Sequence, residues 1–265
     1  MSGGITARAL TRDFGRARAV DRLELDVAPG EIFGLLGRNG AGKTTTVKML
    51  TTLLPPTAGT ATVAGCDIVR EAARVRRVIG YVPQALSADG ELTGYENLLV
   101  FARLFDLPRA ELRPRIAQAL EFMDLTDAAD RLVRSYSGGM IRRLEIAQST
   151  LHRPQVLFLD EPTVGLDPLA RHAVWRHLAR INAELGTTVV VTTHYMDEVE
   201  ALCGRIAILH RGALVAAGTP AELKARLAPG ASLDDVFAHF TGGSPEGDGR
   251  YADTSNVRRS ASRLG

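Results

Sequence analysis

The chain has 265 residues, 45% hydrophobic and 23% charged, and its 32 Lys+Arg against 30 Asp+Glu leave a formal net charge of +2. That is enough chain for one large α/β domain with a smaller insert, and so mild a charge gives no ground by itself for a nucleic-acid partner. Cys66 and Cys203 lie far apart without metal-ligand spacing, which suggests reduced thiols in a reducing compartment.

Met1 to Leu10 lacks the apolar core of a signal peptide. No apolar run approaches the roughly 18–20 residues needed to span a bilayer, so membrane contact is expected through a partner. Residues 5–13 and 20–27 alternate and predict two antiparallel strands, with Leu23, Leu25 and Val27 on one face. Glu31 to Leu36 suits a buried strand. It runs into Gly37-Arg38-Asn39-Gly40-Ala41-Gly42-Lys43-Thr44, a complete G-x-x-x-x-G-K-T, and then into a helix over 44–54 with Val47, Leu50 and Leu54 facing a core. In that context backbone N–H groups converge on phosphates, Lys43 reaches toward the β- and γ-phosphates, and the Thr44 hydroxyl suits Mg²⁺. Thr45 extends the phosphate-binding run. Only Lys43, Lys48 and Lys224 are lysines among the 32 Lys+Arg, so an ammonium at 43 is an exception. A tight phosphate nest favours a point charge over a planar fork.

Pro55, Pro56 and Gly59 end that helix and open a second short strand pair. From Leu86 to about Arg153 the pattern turns helical, with Leu112, Ile116, Leu120 and Met123 at helix spacing. Pro114 fits there only if the first turn lies close by. Ser137, Gly138 and Gly139 put a hydroxyl and two unobstructed amides just ahead of a helix, an arrangement that favours an anion. Val156 to Leu159 predicts a buried strand that delivers Asp160 and Glu161 at its C-terminal end, a common way to build a Mg²⁺-nucleotide site. Either half alone reads equally well as a Gly-rich turn or a core strand capped by solvated acids. Both together, downstream of a phosphate loop, leave that reading little room. Pro168 opens a helix to about Leu185, followed by a strand over 187–193 that ends at His194. A hairpin over 206–210 and 213–217 and helices over 220–227 and 233–240 close the chain, and there are no internal repeats.

With these motifs in order, the chain resembles the nucleotide-binding subunit of an ATP-binding cassette (ABC) transporter from about Thr6 to Gly242. Residues 37–44 match Walker A, 156–160 Walker B and 136–140 the signature loop. Gln84 in G-Y-V-P-Q matches the Q-loop, Asp167 in G-L-D-P the D-loop, His194 in V-T-T-H the switch histidine, and Phe14 in R-D-F-G the aromatic that stacks on adenine. The signature departs from L-S-G-G-Q at Tyr136 and Met140, while Ser137-Gly138-Gly139 is intact.

The resemblance implies a P-loop NTPase core, a mixed sheet flanked by helices, with an antiparallel β subdomain and an inserted α-helical subdomain. It implies one ABC ATPase domain over 1–242, with the insert at about 86–153. ATP and Mg²⁺ are the implied cofactors. Glu161 would orient or deprotonate the attacking water, with His194 and Gln84 also catalytic, and Thr44, Gln84 and Asp160 would serve the metal. Phe14, residues 37–45, Ser137, Gly138, Gly139 and Asp167 would contact nucleotide, the signature residues reaching across to the opposite subunit. The other histidines, His152, His172, His177, His210 and His239, read as structural or exposed.

The implied partners are a second ABC ATPase subunit, expected to be an identical copy, and an integral-membrane permease, with no nucleic acid expected. The implied location is the cytoplasmic face of the membrane. Leu92 to Leu98 and Ser232 to Phe237 resemble the daunorubicin-resistance type of exporter ATPase, implying export of a hydrophobic small molecule. The alternatives are an importer ATPase and a soluble ABC ATPase acting on nucleic acid or ribosomes. The latter usually carries a second cassette, coiled-coil arms or zinc cysteines. The tail over 243–265, rich in Gly, Ser and charge and ending in Arg258, Arg259 and Arg263, is expected to be disordered and suited to weak attraction to anionic headgroups.

Overall fold

A computed structural model describes residues 3–242, so the expectation for the 243–265 tail lies outside the described residues. The N-terminal alternation becomes β1 (Ile5–Phe14) and β2 (Ala17–Val27), followed by β3 (Ile32–Leu36) and, after the glycine-rich loop, α1 (Lys43–Leu50). β4 (Ala58–Val63), β5 (Cys66–Asp67), α2 (Ala72–Val78) and β6 (Ile79–Val82) lead into the helical region, made of α3 (Gly94–Leu104), α4 (Arg109–Phe122) and α5 (Gly138–Thr150). Then come β7 (Val156–Asp160), α6 (Pro168–Leu185), β8 (Thr188–Thr193) and α7 (Met196–Leu202). β9 (Arg205–His210), β10 (Ala213–Gly218), α8 (Pro220–Leu227) and α9 (Leu233–Thr241) finish the described chain.

Strand composition sorts these strands into two sheets. β2-β1-β4-β5 is antiparallel, and alternate residues such as Leu23, Leu25 and Val27 are buried as their spacing predicts. The second sheet runs β10-β9-β3-β8-β7-β6. β9, β3, β8, β7 and β6 are parallel, and β10 adds an antiparallel edge. Its central strands are apolar on both faces. Val156, Leu157, Phe158 and Leu159 are all fully buried, each contributing about 1.5–3 kcal/mol by removal from water.

Several elements differ from the sequence expectation. The P-loop helix ends at Leu50 rather than Leu54, where Thr52 takes a positive φ of 64°. α4 begins at Arg109, so Pro114 sits inside the helix and not in its first turn. Leu112, Ile116 and Leu120 still turn toward the core, and that packing outweighs the backbone bond the proline cannot make. β6, α2 and α7 have no counterpart in the sequence reading. The second strand pair is β4 and β5, and β4 pairs with β1 to complete the antiparallel sheet.

Candidate functional site

Three strand ends and one helix start converge. β3 leads through Gly37 to α1, whose first residue is Lys43. Gly42 caps that helix in the left-handed region at φ 105°, and a Cβ there would stand 2.6 Å from the carbonyl oxygen of Ala19, so only glycine closes this turn. That contact brings β2 against the loop, and Phe14, paired with Ala17, lies on the same hairpin. Phe14 is half exposed, with the Arg12 guanidinium 4.7 Å above its ring. Arg38 and Thr45 are half-buried, Asn39 and Gly40 exposed, and Ala41 buried at the loop.

The buried Lys43 ammonium donates to the Gly37 carbonyl at 2.7 Å and pairs with Glu161 Oε1 at 2.9 Å. The Thr44 hydroxyl donates to Asp160 Oδ1 at 3.1 Å, and Thr192 on the neighbouring strand donates to the same oxygen at 2.6 Å. Asp160 and Thr192 are register partners, so pairing of β7 with β8 sets this bond. Just past β7, Glu161 has φ 48°, an unusual conformation for a residue with a Cβ. Its N–H donates to both the Thr192 hydroxyl and carbonyl, at 2.9 and 3.1 Å, which holds the turn in place. His194, just past β8, brings Nδ1 to 3.3 Å from Glu161 Oε2. Burial alone would raise the Glu161 carboxyl pKa, but His194 and the Lys43 ammonium more than offset it and hold the group at about 2. Glu161 is therefore ionised throughout the physiological range.

Thr44 and Asp160 offer hard oxygen donors of the kind Mg²⁺ accepts, and Mg²⁺ usually takes only one or two protein oxygens and completes its shell with phosphate and water. Among the described residues no cluster of three or more acidic, His or Cys ligands occurs.

Gln84 follows β6, the strand beside β7, and its side chain is exposed. Ser137 caps α5, accepting from the Met140 N–H at 3.3 Å. The signature glycines fall in the first turn of α5, one step later than expected. Gly138 and Gly139 abut Leu166 and Ala170, and a Cβ on Gly139 would meet Ala170 Cβ at 2.8 Å. Asp167 caps α6 by accepting from the Ala170 N–H at 2.9 Å. The chain thus presents two groupings: Lys43, Thr44, Asp160, Glu161 and His194 in one, and Ser137, Gly138, Gly139 and Asp167 in the other. The departure at Tyr136 has a packing role. Its hydroxyl donates to the Ala128 carbonyl at 2.6 Å, and Gly94 makes room, since a Cβ there would stand 2.3 Å from that oxygen.

Sequence reasoning missed Arg142 and Glu145. Both are buried on α5 and paired at 3.0 Å. Arg142 donates to the Pro83 and Gln84 carbonyls, each at 2.7 Å, while Glu145 accepts from the Ser87 N–H and hydroxyl and from the Ala88 N–H. The helix that begins at the signature loop therefore grips the loop that carries Gln84. The sequence carries no signal that sets them apart from solvated charges; only the fold shows α5 buried on nearly every face, which leaves them no solvated side.

A family model described as ABC transporter matches residues 20–164, more than half of the chain. The daunorubicin/doxorubicin resistance ATP-binding protein DrrA of Streptomyces peucetius is 48% identical, over 84% of this chain and 67% of that protein. The Nod factor export ATP-binding protein I of Paraburkholderia xenovorans is 46% identical, over 80% of this chain and 69% of that protein. A solved ATP-binding subunit of an ABC transporter superposes with a TM-score of 0.80 at 29% identity, covering 89% of this chain and 98% of that one. The chain belongs to the ABC transporter family, as an ATP-binding subunit that hydrolyses ATP.

Proposed function

We propose that two copies of this chain enclose two ATP molecules head to tail and drive a separate permease that exports a hydrophobic small molecule. The observation that carries the reading is the convergence of Lys43, Glu161 and His194 within 3.3 Å contacts at the phosphate loop, with Thr44 and Asp160 bonded beside them.

The residues then divide the chemistry. The amides of residues 37–45 cradle the phosphates, and Lys43 leaves Glu161 to meet the β- and γ-phosphates. Phe14 offers its exposed face to adenine. Thr44 and Asp160, with Gln84 at the same end of the sheet, would hold Mg²⁺, and the bound ion would supply charge neutralisation at the phosphates. Glu161 orients and accepts a proton from the attacking water, and His194 contacts the γ-phosphate. Ser137, Gly138, Gly139 and Asp167 contact nucleotide on the opposite subunit. In the single chain, Gly138 and Gly139 face Leu166 and Ala170, and Asp167 accepts from the Ala170 N–H.

The permease seats on the groove beside β6. That groove measures about 300 Å³ and is lined by Leu53, Ile79, Tyr81, Phe101, Phe105 and His152. Its rim includes the exposed Leu53. No described helix is long and apolar enough to cross a membrane. With the permease as its membrane partner, this reading puts the chain at the cytoplasmic face. Export is drawn from the Nod factor export relative, and a drug-like cargo from the daunorubicin/doxorubicin resistance relative.

The test is Glu161→Gln with ATP and Mg²⁺, followed by sedimentation velocity and phosphate release. The expected result is a dimer that accumulates with turnover lowered by about 10²–10⁴-fold. Undiminished turnover overturns the assignment of Glu161, and a chain that stays monomeric around bound ATP overturns the dimer. A multi-span membrane protein recovered with the chain from detergent extract supports the permease, and its absence counts against it.

A further inference from the structure

Glu198 is a carboxylate with no exposed surface, on α7 four residues beyond His194, and no step above uses it. An ionisable group in such a place is costly unless its bonds serve something, and packing alone would be better met by an apolar side chain. Its bonds reach two other elements. Oε1 accepts from the Thr163 hydroxyl at 3.1 Å and from the Trp175 indole N–H at 3.0 Å. Thr163 lies two residues past Glu161, on the turn that leads to Asp167. Trp175 stands on α6, the helix capped by Asp167. Glu198 itself stands on α7, which begins at Met196, two residues past His194, and the turn between them is held by the Tyr195 N–H donating to the Thr193 hydroxyl at 3.0 Å.

We infer that Glu198 is a positioning residue for ATP hydrolysis: from the helix that follows His194, its one buried carboxylate anchors the loop after Glu161 and the helix behind Asp167. The Glu161–His194 separation and the placement of Asp167 are then set together. This rests on the reading that Glu161 and His194 act on the γ-phosphate. Burial raises the Glu198 pKa, and the Trp175 and Thr163 bonds oppose that rise. Among the described residues its Oε2 has no hydrogen-bond partner, so Oε1 alone carries the linkage. An amide oxygen can replace Oε1, whereas a methyl group cannot.

The test compares Glu198→Gln, Glu198→Leu, Thr163→Val and Glu161→Gln by steady-state ATP hydrolysis, nucleotide titration and thermal unfolding. Glu198→Leu is expected to lower kcat by about 10²-fold, the scale of an ångström-sized misplacement, with the Kd for ATP within about twofold of wild type. Glu198→Gln is expected to stay within about threefold of wild-type kcat whatever its Tm, because the oxygen acceptor is kept. Trp175 is the sole tryptophan of the chain, so its emission reports the bond directly. It is expected to shift in Glu198→Leu and to hold in Glu198→Gln.

Thr163→Val removes one bond while leaving Glu198 in place, and it carries the test if Glu198→Leu does not fold. The double variant Glu198→Leu/Thr163→Val is expected to be no slower than Glu198→Leu alone. Wild-type kcat in both Glu198→Leu and Thr163→Val overturns the inference, as do kcat losses that follow Tm across the set. If Glu161→Gln itself retains full turnover, the underlying assignment of the base has failed, which is a separate outcome.

Discussion

The Lys43–Glu161 pair makes a stability prediction that needs no nucleotide. Glu161 is held at about 2 against an ordinary value of 4.5, and both partners are nearly inaccessible to water. That difference corresponds to about 3 kcal/mol of folded-state stability. Because the folded-state pKa is depressed, the stabilisation is complete above about pH 5 and drains away as pH falls toward about 2. Glu161→Gln removes the titration while keeping the shape. Asp67, Glu96, Glu222 and Asp235 are also held below their ordinary values by backbone and hydroxyl bonds, but they titrate identically in both proteins and cancel. Wild type should be the more stable protein at pH 6.5, and its advantage should shrink by about 1.4 kcal/mol at pH 3.5. Urea unfolding of the two nucleotide-free proteins at both pH values measures this directly. An advantage that stays constant between them would show that Lys43 and His194 do not hold Glu161 ionised.

Lys43→Ala should weaken binding of a non-hydrolysable ATP analogue by at least about tenfold, or ~1.4 kcal/mol, by calorimetry, and an unchanged Kd would remove Lys43 from the phosphate site. Arg142→Met strands the buried Glu145 and frees the Pro83 and Gln84 carbonyls, so thermal unfolding should show a loss of about 3–5 kcal/mol. Adding Glu145→Met should recover much of that loss, and a double variant no more stable than the single one refutes the buried-pair account. Tyr136→Phe should cost about 1–2 kcal/mol in urea unfolding through the lost Ala128 bond, with the Kd for ATP unchanged. A shifted Kd without a stability change would contradict that packing role.

The motifs were legible because each is local. The Gly37–Thr44 loop, the apolar run into Asp160 and Glu161, and the strand into His194 are continuous in sequence, and each strand, loop and helix around them has its own periodicity. β6 was not legible. It is four residues long, contains Gly80, and becomes a strand only by pairing with β7. That glycine answers a tertiary contact, since a Cβ would stand 2.3 Å from the Ser149 carbonyl oxygen on α5. α2 and α7 are seven residues each and lack side-chain caps, so neither sends a boundary signal. Arg142, Glu145 and Glu198 look in sequence like charges on solvated helix faces. Their roles depend on partners 58, 58 and 35 residues away.

Those long-range bonds accompany a regularity in the sheet. β3, β8, β7 and β6 lie side by side and parallel, so their C-terminal ends deliver the Lys43 loop, His194, Asp160 with Glu161, and the Gln84 loop in that lateral order. Neighbouring strands stand about 4.8 Å apart, which sets the spacing of the loops but not the direction their side chains take. Direction is supplied from behind the sheet ends. Thr192 aims Asp160 and the Glu161 backbone, Arg142 and Glu145 hold the Gln84 loop, and Glu198 ties Thr163 and Trp175. A helix that moves Arg142 or Glu198 therefore moves a loop at the phosphate site. α5 begins at the signature loop and α6 at Asp167, so the grouping assigned to the opposite subunit's nucleotide is joined through buried polar bonds to the loops that serve the chain's own.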